Sequence, residues 1–221
     1  MAHILNIETS TTNCSVSLAG EGNTIALKAQ NDARYSHAEN LHFFIKEVLR
    51  EANLSPEALQ AVAVSKGPGS YTGLRIGVSA AKGLCFSLDI PLLSIPTLQA
   101  LALQSSVEKG YIVPLLDARR MEVYSAVFNT QYEQIRNTRA EIISAQSFRE
   151  YLEEDTVYFL GPGAEKCKSV ITHRNARFQE AITYPSAAEM SRLSYHKFIN
   201  NEVEDVAYFE PYYLKDFVAG K

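Results

Sequence analysis

The sequence predicts an α/β chain built twice on one plan. Three short strand-like runs followed by alternating helix and strand patterns occupy residues 3–104, and the same grammar restarts at residue 111. In each half a later apolar run ends in Gly-Pro-Gly, at 67–69 and again at 161–163. At 221 residues and 46% hydrophobic content, the chain can bury a core in each of two small domains.

Residues 3–9 read as a buried strand, followed after a polar turn by a strand over 14–18. Gly20-Glu21-Gly22-Asn23 marks a hairpin turn into a third strand, 24–29. Ser36-His37-Ala38-Glu39 is a capping box, with Ser36 as N-cap and Glu39 at the third helical position. The helix it opens carries Leu41, Phe44, Ile45, Val48 and Ala52 on one face. Pro56 prevents a simple continuation, and residues 59–64 form the next strand. A helix over 72–88, a strand over 91–95 and a helix from Pro96-Thr97 to about 104 follow. A meander followed by βα crossovers predicts a mixed sheet covered by helices, as in a ribonuclease-H-like domain.

In the second half, residues 111–117 and 122–128 form a hairpin around Ala118-Arg119-Arg120, with 134–143 as its third strand. A helix near 147–154 and a strand over 156–160 lead into the second Gly-Pro-Gly. A later helix over 186–200 is capped by Ser186, with Glu189 three residues on. The expected domains are 1–107 and 108–221, with a boundary near 105–110 and a C-terminal tail that packs back on the first domain.

A net charge of −4 argues against a protein that holds nucleic acid alone, since phosphate binding needs clustered Lys and Arg. The three cysteines, Cys14, Cys85 and Cys167, are far apart and form no CxxC, which speaks against zinc and a disulfide framework. Cys14 and Cys85 fall on predicted core positions. The most apolar region, 84–103, is broken by Asp89, Pro91 and Pro96 and is no membrane span; the first residues lack a signal-peptide pattern. A reduced cytosol is the expected compartment.

Gly67-Pro68-Gly69-Ser70-Tyr71-Thr72-Gly73 is not a P-loop, because no Gly-Lys-Ser/Thr ends it, and it lacks the third glycine of a dinucleotide fingerprint. Two uses stay open: tight turns with close helix approach, or exposed amides that hold an anion. On the helix behind it, Leu74, Val78, Ala81, Cys85 and Leu88 form a stripe for the sheet. Gly73, Gly77, Ala80 and Leu84 form a second stripe of mostly small residues; Arg75, Ser79 and Lys82 are polar. Small residues admit a close partner, either another helix of the same domain or a second protein. Phe43, among Glu39, Lys46, Glu47 and Arg50, lies off the core face of the first helix and suits an interface anchor. On this reading a bulky residue at Gly77 or Ala80 leaves the fold intact and abolishes association.

His37 and His42 are five apart and lie about 140° around the helix, which does not suit a helical chelate. His196 stands alone. The aromatic tail Tyr208-Phe209-Glu210-Pro211-Tyr212-Tyr213-Leu214-Lys215 has too few cations for a nucleic-acid groove and is expected to dock on the protein. No metal site and no catalytic residue is assigned.

Four segments carry a family resemblance: Ile4-Leu5-Asn6-Ile7-Glu8-Thr9-Ser10, Gly67-Pro68-Gly69-Ser70-Tyr71-Thr72-Gly73-Leu74-Arg75-Ile76-Gly77, Asp117-Ala118-Arg119-Arg120-Met121-Glu122-Val123-Tyr124 and Pro211-Tyr212-Tyr213-Leu214. On them the chain resembles the TsaB (YeaZ) family, and the match extends over nearly the whole chain. The resemblance implies the actin-like ATPase fold (sugar kinase/Hsp70-like) of two ribonuclease-H-like domains. It also implies a cytoplasmic, non-catalytic subunit in the transfer of a threonylcarbamoyl group to the adenosine next to the anticodon in tRNA. The implied partners are a TsaD-like catalytic paralogue in a heterodimer, a TsaE-like ATPase, a second copy when alone, and tRNA only through the complex. No membrane is implied, and no cofactor is implied for the isolated chain; ATP or ADP with magnesium would belong to the assembled complex.

One departure is Glu8, where many relatives carry aspartate. Glu8, Thr9, Ser10 and Asp117 are the nucleotide candidates of the rival reading, an autonomous actin-fold ATPase or small-molecule kinase; a metallopeptidase is a further rival. The expected partner interface is Phe43, Gly73, Ile76, Gly77, Ala80 and Leu84.

Overall fold

The computed structural model of the chain describes residues 1–32 and 37–215. The predicted N-cap Ser36 therefore lies outside the described residues. The first three strands, β1 (His3–Glu8), β2 (Asn13–Gly20) and β3 (Asn23–Asn31), form an antiparallel meander. Helix α1 (His37–Glu51), β4 (Ala61–Gly67), α2 (Tyr71–Leu88), β5 (Leu92–Pro96) and α3 (Thr97–Ala102) follow. β4 joins β1 in parallel and β5 joins β4, so the sheet order is β3-β2-β1-β4-β5.

Alternation along the central strands divides the core in two, because successive side chains leave a strand on opposite faces. Leu5, Ile7, Val62 and Val64 join Leu41, Val48, Val78, Ala81 and Cys85 of α1 and α2 in one cluster. Ile4, Ala61, Ala63, Leu93 and Ile95 form the other cluster. A strand buried on both faces reads as an unbroken apolar run, and Ala61-Val62-Ala63-Val64 is one.

The second meander is β6 (Tyr111–Asp117), β7 (Glu122–Phe128) and β8 (Gln134–Ile142). Then come α4 (Arg149–Glu154), β9 (Val157–Leu160), α5 (Ala164–Cys167) and β10 (Ala176–Phe178). The order β10-β9-β6-β7-β8 repeats the first sheet's topology strand for strand. α5 and β10 are short elements that the sequence pattern does not announce.

The final helix, α6 (Ala187–Ile199), corrects the expected domain division. One compact unit is Met1–Ala100 together with Pro185–Tyr213; the other is Leu101–Tyr184, joined by Leu214 and Lys215. α6 belongs to the first unit because Ala187 and Met190 cover the Ile4/Ala61/Ala63 face of that sheet. Polar ties fix the helix start there. The Ser17 hydroxyl donates to Ala187 O at 2.7 Å, Ala187 N donates to Ser15 Oγ at 2.9 Å, and Asn13 Nδ2 donates to Pro185 O at 2.9 Å. Ser186 caps α6 by accepting from Ala188 N.

Beyond α6 the chain crosses the same unit. Glu204 N donates to Leu92 O, Phe209 packs on the α1/α2 cluster, and Tyr212 N donates to Lys66 O at 2.7 Å. Lys82 Nζ donates to Ala207 O and Phe209 O, and the Tyr213 ring lies 5.1 Å from that of Tyr71. The three cysteines are free thiols in core positions. Among the described residues no helix is long and apolar enough to cross a membrane.

Candidate functional site

Two features of the first unit bear on function: the β1–β2 turn, which carries three of the nucleotide candidates, and the face between α1 and α2. In the turn, Glu8, Thr9 and Ser10 are buried. Glu8 Oε1 accepts from Ser10 N at 2.6 Å and from Ser65 Oγ at 3.1 Å. Thr9 N donates to Ser65 Oγ, Asn13 N to Thr11 Oγ1, and Ser10 O accepts from Ser70 N at 2.7 Å. Three of the turn's amides, those of Thr9, Ser10 and Asn13, are thus used within the turn and its neighbours. Glu8 Oε2, Thr9 Oγ1 and Ser10 Oγ are buried without a hydrogen-bond partner among the described residues. Burial pushes the Glu8 carboxyl above its usual value, against the lowering effect of its donors, and pushes the Cys14 thiol up to about 11.

Asp117, the fourth candidate, sits in the second unit and is exposed. Its Oδ1 accepts from Arg119 N at 2.7 Å and from Lys166 Nζ at 2.8 Å. It serves a hairpin turn. His37 is buried with Nε2 2.6 Å from Thr11 O, and burial lowers its pKa; His42 is exposed on the helix surface. Among the described residues no three His, Cys, Asp or Glu side chains gather as metal ligands would.

α2 begins with Ser70 as N-cap, whose hydroxyl accepts from Gly73 N at 3.3 Å. Ahead of it Gly67 has φ +106°, where a side chain would be strained and a Cβ would lie 2.9 Å from Tyr212 O. Leu74, Val78, Ala81 and Cys85 face the sheet as the periodicity predicts.

Gly73 and Gly77 correct the expected partner interface. Both are buried, and a Cβ at Gly73 would overlap Thr9 O while one at Gly77 would overlap Thr9 Oγ1. Their missing side chains admit the chain's own β1–β2 turn, so a bulky residue at Gly77 attacks the fold rather than association. The small-residue stripe is two surfaces, divided between Gly77 and Ala80.

The outward part of α2 borders a groove of about 760 Å³ shared with α1. Ile45, Ile76, Ala80 and Leu84 give it apolar walls, Gly83 opens one side, and His42, Tyr71 and Arg75 supply polar edges. The Arg75 guanidinium lies 4.5 Å from the Tyr71 ring centre. Phe43 on α1 is 58% exposed and Phe86 on α2 is 85% exposed, large apolar side chains left in water. Of the other residues of the expected interface, Phe43 is exposed, while Ile76, Ala80 and Leu84 are half-buried, packed on the core below and lining the groove above. Phe86 was missed, although an aromatic on the same helical face as Arg75 and Ser79 is the signal that singles out Phe43. Ser65 was missed as well; a lone hydroxyl in the run Ala61-Val62-Ala63-Val64 was its only mark.

Two tandem units of strand order 3-2-1-4-5 make this an actin-like protein, here with a filled first turn and an open helical face. A family model described as TsaD, tRNA N6-adenosine threonylcarbamoyltransferase, matches residues 30–220. A Bacillus subtilis protein named tRNA threonylcarbamoyladenosine biosynthesis protein TsaB is 38% identical over 130 residues, covering 57% of this chain and 54% of the relative. The Haemophilus influenzae protein of the same name is 28% identical over 99% of this chain and 95% of its own. The crystal structure titled YeaZ from Pseudomonas aeruginosa superposes with a TM-score of 0.82 at 26% identity, covering 97% of this chain and 100% of that one. The chain belongs to the TsaD family and, within it, to the TsaB (YeaZ) group.

Gly73→Ala should lower unfolding stability by about 1–3 kcal/mol through overpacking on Thr9. Gly83→Ala, with nothing within 4 Å of the new Cβ, should raise it by about 0.5–1 kcal/mol through helix propensity. Urea unfolding of both variants checks the division of the stripe, and equal effects would refute it.

A second expectation concerns pH. The folded state holds the Glu8 proton more tightly than the unfolded chain, so this group's contribution is complete below its ordinary pKa. It is lost as pH rises from there through the folded pKa, by at most about 1.4 kcal/mol per pH unit. Glu8→Gln, which mimics the protonated acid, removes that slope. His37 contributes the opposite slope, lost as pH falls below its ordinary value, but it is common to both proteins and cancels in their difference. A stability difference between them that is flat from pH 4 to 7 would contradict the assignment.

Proposed function

We propose that this chain is a non-catalytic docking subunit for threonylcarbamoyl transfer to tRNA, with a TsaD-type transferase as its partner. The observation that carries the reading is the groove between α1 and α2. Its apolar walls, with Phe43 and Phe86 nearby, suit the apolar face of partner helices. Membership of the transferase's own family supports a partner of related fold, which would present its equivalent helix pair to form a four-helix contact. Without that partner a second copy occupies the same surface.

The closed β1–β2 turn supports the absence of catalysis in this chain. Three of its amides have internal partners, its carboxyl is buried, and two glycines of α2 press against it. A fold of this class binds nucleotide through a site rather than through its shape alone. ATP or ADP with magnesium, and a TsaE-like ATPase, belong on this reading to the assembled complex. That complex rather than this chain alone holds tRNA, and its place is the cytoplasm.

Ala80→Glu combined with Gly83→Glu places two carboxylates in the groove, at a half-buried and an exposed position of α2. The isolated variant should keep its melting temperature, while affinity for the transferase should fall roughly 100-fold or more. Undiminished co-elution would remove the groove from the interface. In a separate titration of the isolated chain with Mg-ATP, no saturable heat is expected. Stoichiometric binding would move the reading to an actin-fold ATPase or small-molecule kinase.

A further inference from the structure

The hairpin turn between β6 and β7 has an uncommon backbone. It closes between Ala118 and Glu122, where Ala118 N donates to Glu122 O at 3.0 Å. Arg119 and Arg120 both have positive φ, 71° and 49°. Such positions are ordinarily filled by Asn or Gly, because a Cβ crowds the backbone there. No other pair of consecutive non-glycine residues among the described ones has this conformation.

The turn is held from beneath. Lys166 Nζ donates to Asp117 Oδ1 at 2.8 Å, Arg120 O at 2.9 Å and Glu122 O at 2.6 Å. Asp117 also receives Arg119 N, and Lys215 pairs with Glu122. Each acid at the base thus has its cation. Among the described residues the Arg119 and Arg120 guanidiniums have neither an ion-pair nor a hydrogen-bond partner, and both residues are exposed. Most other arginines are engaged: Arg50, Arg136, Arg139 and Arg149 with glutamates, Arg177 with carbonyls, Arg75 with a ring. Arg174 and Arg192 are likewise exposed with no side-chain partner among the described residues; what sets Arg119 and Arg120 apart is that they are adjacent on one clamped turn.

We propose that this turn is an RNA phosphodiester contact, through which Arg119 and Arg120 bind the backbone of tRNA when the chain is in its complex. Guanidinium matches phosphate oxygens through paired N–H donors, and a turn fixed in advance loses little freedom on binding. The inference rests on the proposed docking role, which brings tRNA to the complex. It adds that this subunit itself contributes a contact. The shared chemistry is a phosphate group, and the RNA backbone is chosen over a free nucleotide because two adjacent exposed guanidiniums suit successive phosphates along a chain.

The test is tRNA binding by the chain assembled with its transferase, across a potassium chloride series. Arg119→Gln with Arg120→Gln should weaken binding roughly tenfold and flatten the slope of log affinity against log salt by about 1.4–1.8. Arg119→Lys with Arg120→Lys should keep the slope. Arg119→Asn with Arg120→Gly relaxes the backbone and removes both charges, so it should raise Tm by about 2–5 °C while losing the same affinity. A purely structural role predicts no such opposition.

Unchanged affinity and slope in the Gln variant would overturn the proposal. Loss of transferase co-elution by that variant would assign the turn to an acidic protein surface instead. Displacement of tRNA by micromolar inorganic pyrophosphate would assign it to a nucleotide, and either result sinks the RNA contact. A wild-type chain that fails to co-elute with the transferase overturns the docking role and this inference together; an assembled complex with an unaltered salt slope overturns only the inference.

Discussion

The contact between α2 and the β1–β2 turn governs the first unit. Gly73 and Gly77 lie against Thr9 so closely that neither position tolerates a Cβ. Helices and strand turns rarely approach to this distance, because side chains hold them apart; here two glycines on consecutive turns of one helix remove the obstacle. Each costs about 1 kcal/mol of helix propensity relative to Ala, which α2 offsets by burying Leu74, Val78, Ala81 and Cys85 on the sheet. The same approach places Ser70 N on Ser10 O and closes the turn. The helix is thereby rotated so that Ile76, Ala80 and Leu84 line the groove with α1.

Closing the turn has a consequence for its chemistry. Glu8 is buried in the sheet with one oxygen satisfied and the other not, so its charged form is the disfavoured one. The amides of Ser10, Thr9 and Asn13 are meanwhile bonded to Glu8, Ser65 and Thr11 and tie the turn to itself and to β4. Other parts of the unit consolidate the arrangement. α6 covers the opposite face of the sheet through serine and asparagine ties, and the tail runs from Glu204 to Tyr213 across β5, β4 and α2. The face between α1 and α2 is left as a groove, lined by apolar residues at the edge of the core.

Most of this was legible as periodicity. The strand-like runs within residues 3–29 and 59–64, the 3.6-residue stripes of α1 and α2, and the Ser186 cap each report a local preference that the fold keeps. What the pattern could not resolve was partnership. A helical projection says that Gly73, Gly77, Ala80 and Leu84 share a side, but not that Thr9 fills half of it. Thr9 comes from more than sixty residues earlier, and its proximity is a product of the sheet order. The domain division failed for the same reason. α6 follows the second meander in sequence, yet its apolar face matches Ile4, Ala61 and Ala63. Glu8 was recognisable as chemistry and only the structure reveals its burial; Ser65, its partner, carried almost no sequence signal.

The duplication clarifies why one half carries the groove. Both units run their fourth strand into Gly-Pro-Gly, and both use the glycine at its start with positive φ. After the first, α2 continues for 18 residues; after the second, α5 stops after 4. A four-residue helix has a single turn and cannot present two faces, so it covers the core with Ala164 and Cys167 and leaves nothing over. An 18-residue helix has five turns, enough to seat one face on the sheet, give two glycines to the turn and keep a third face free. Helix length after the repeated loop, rather than the loop itself, is therefore what separates the surface-bearing unit from its copy.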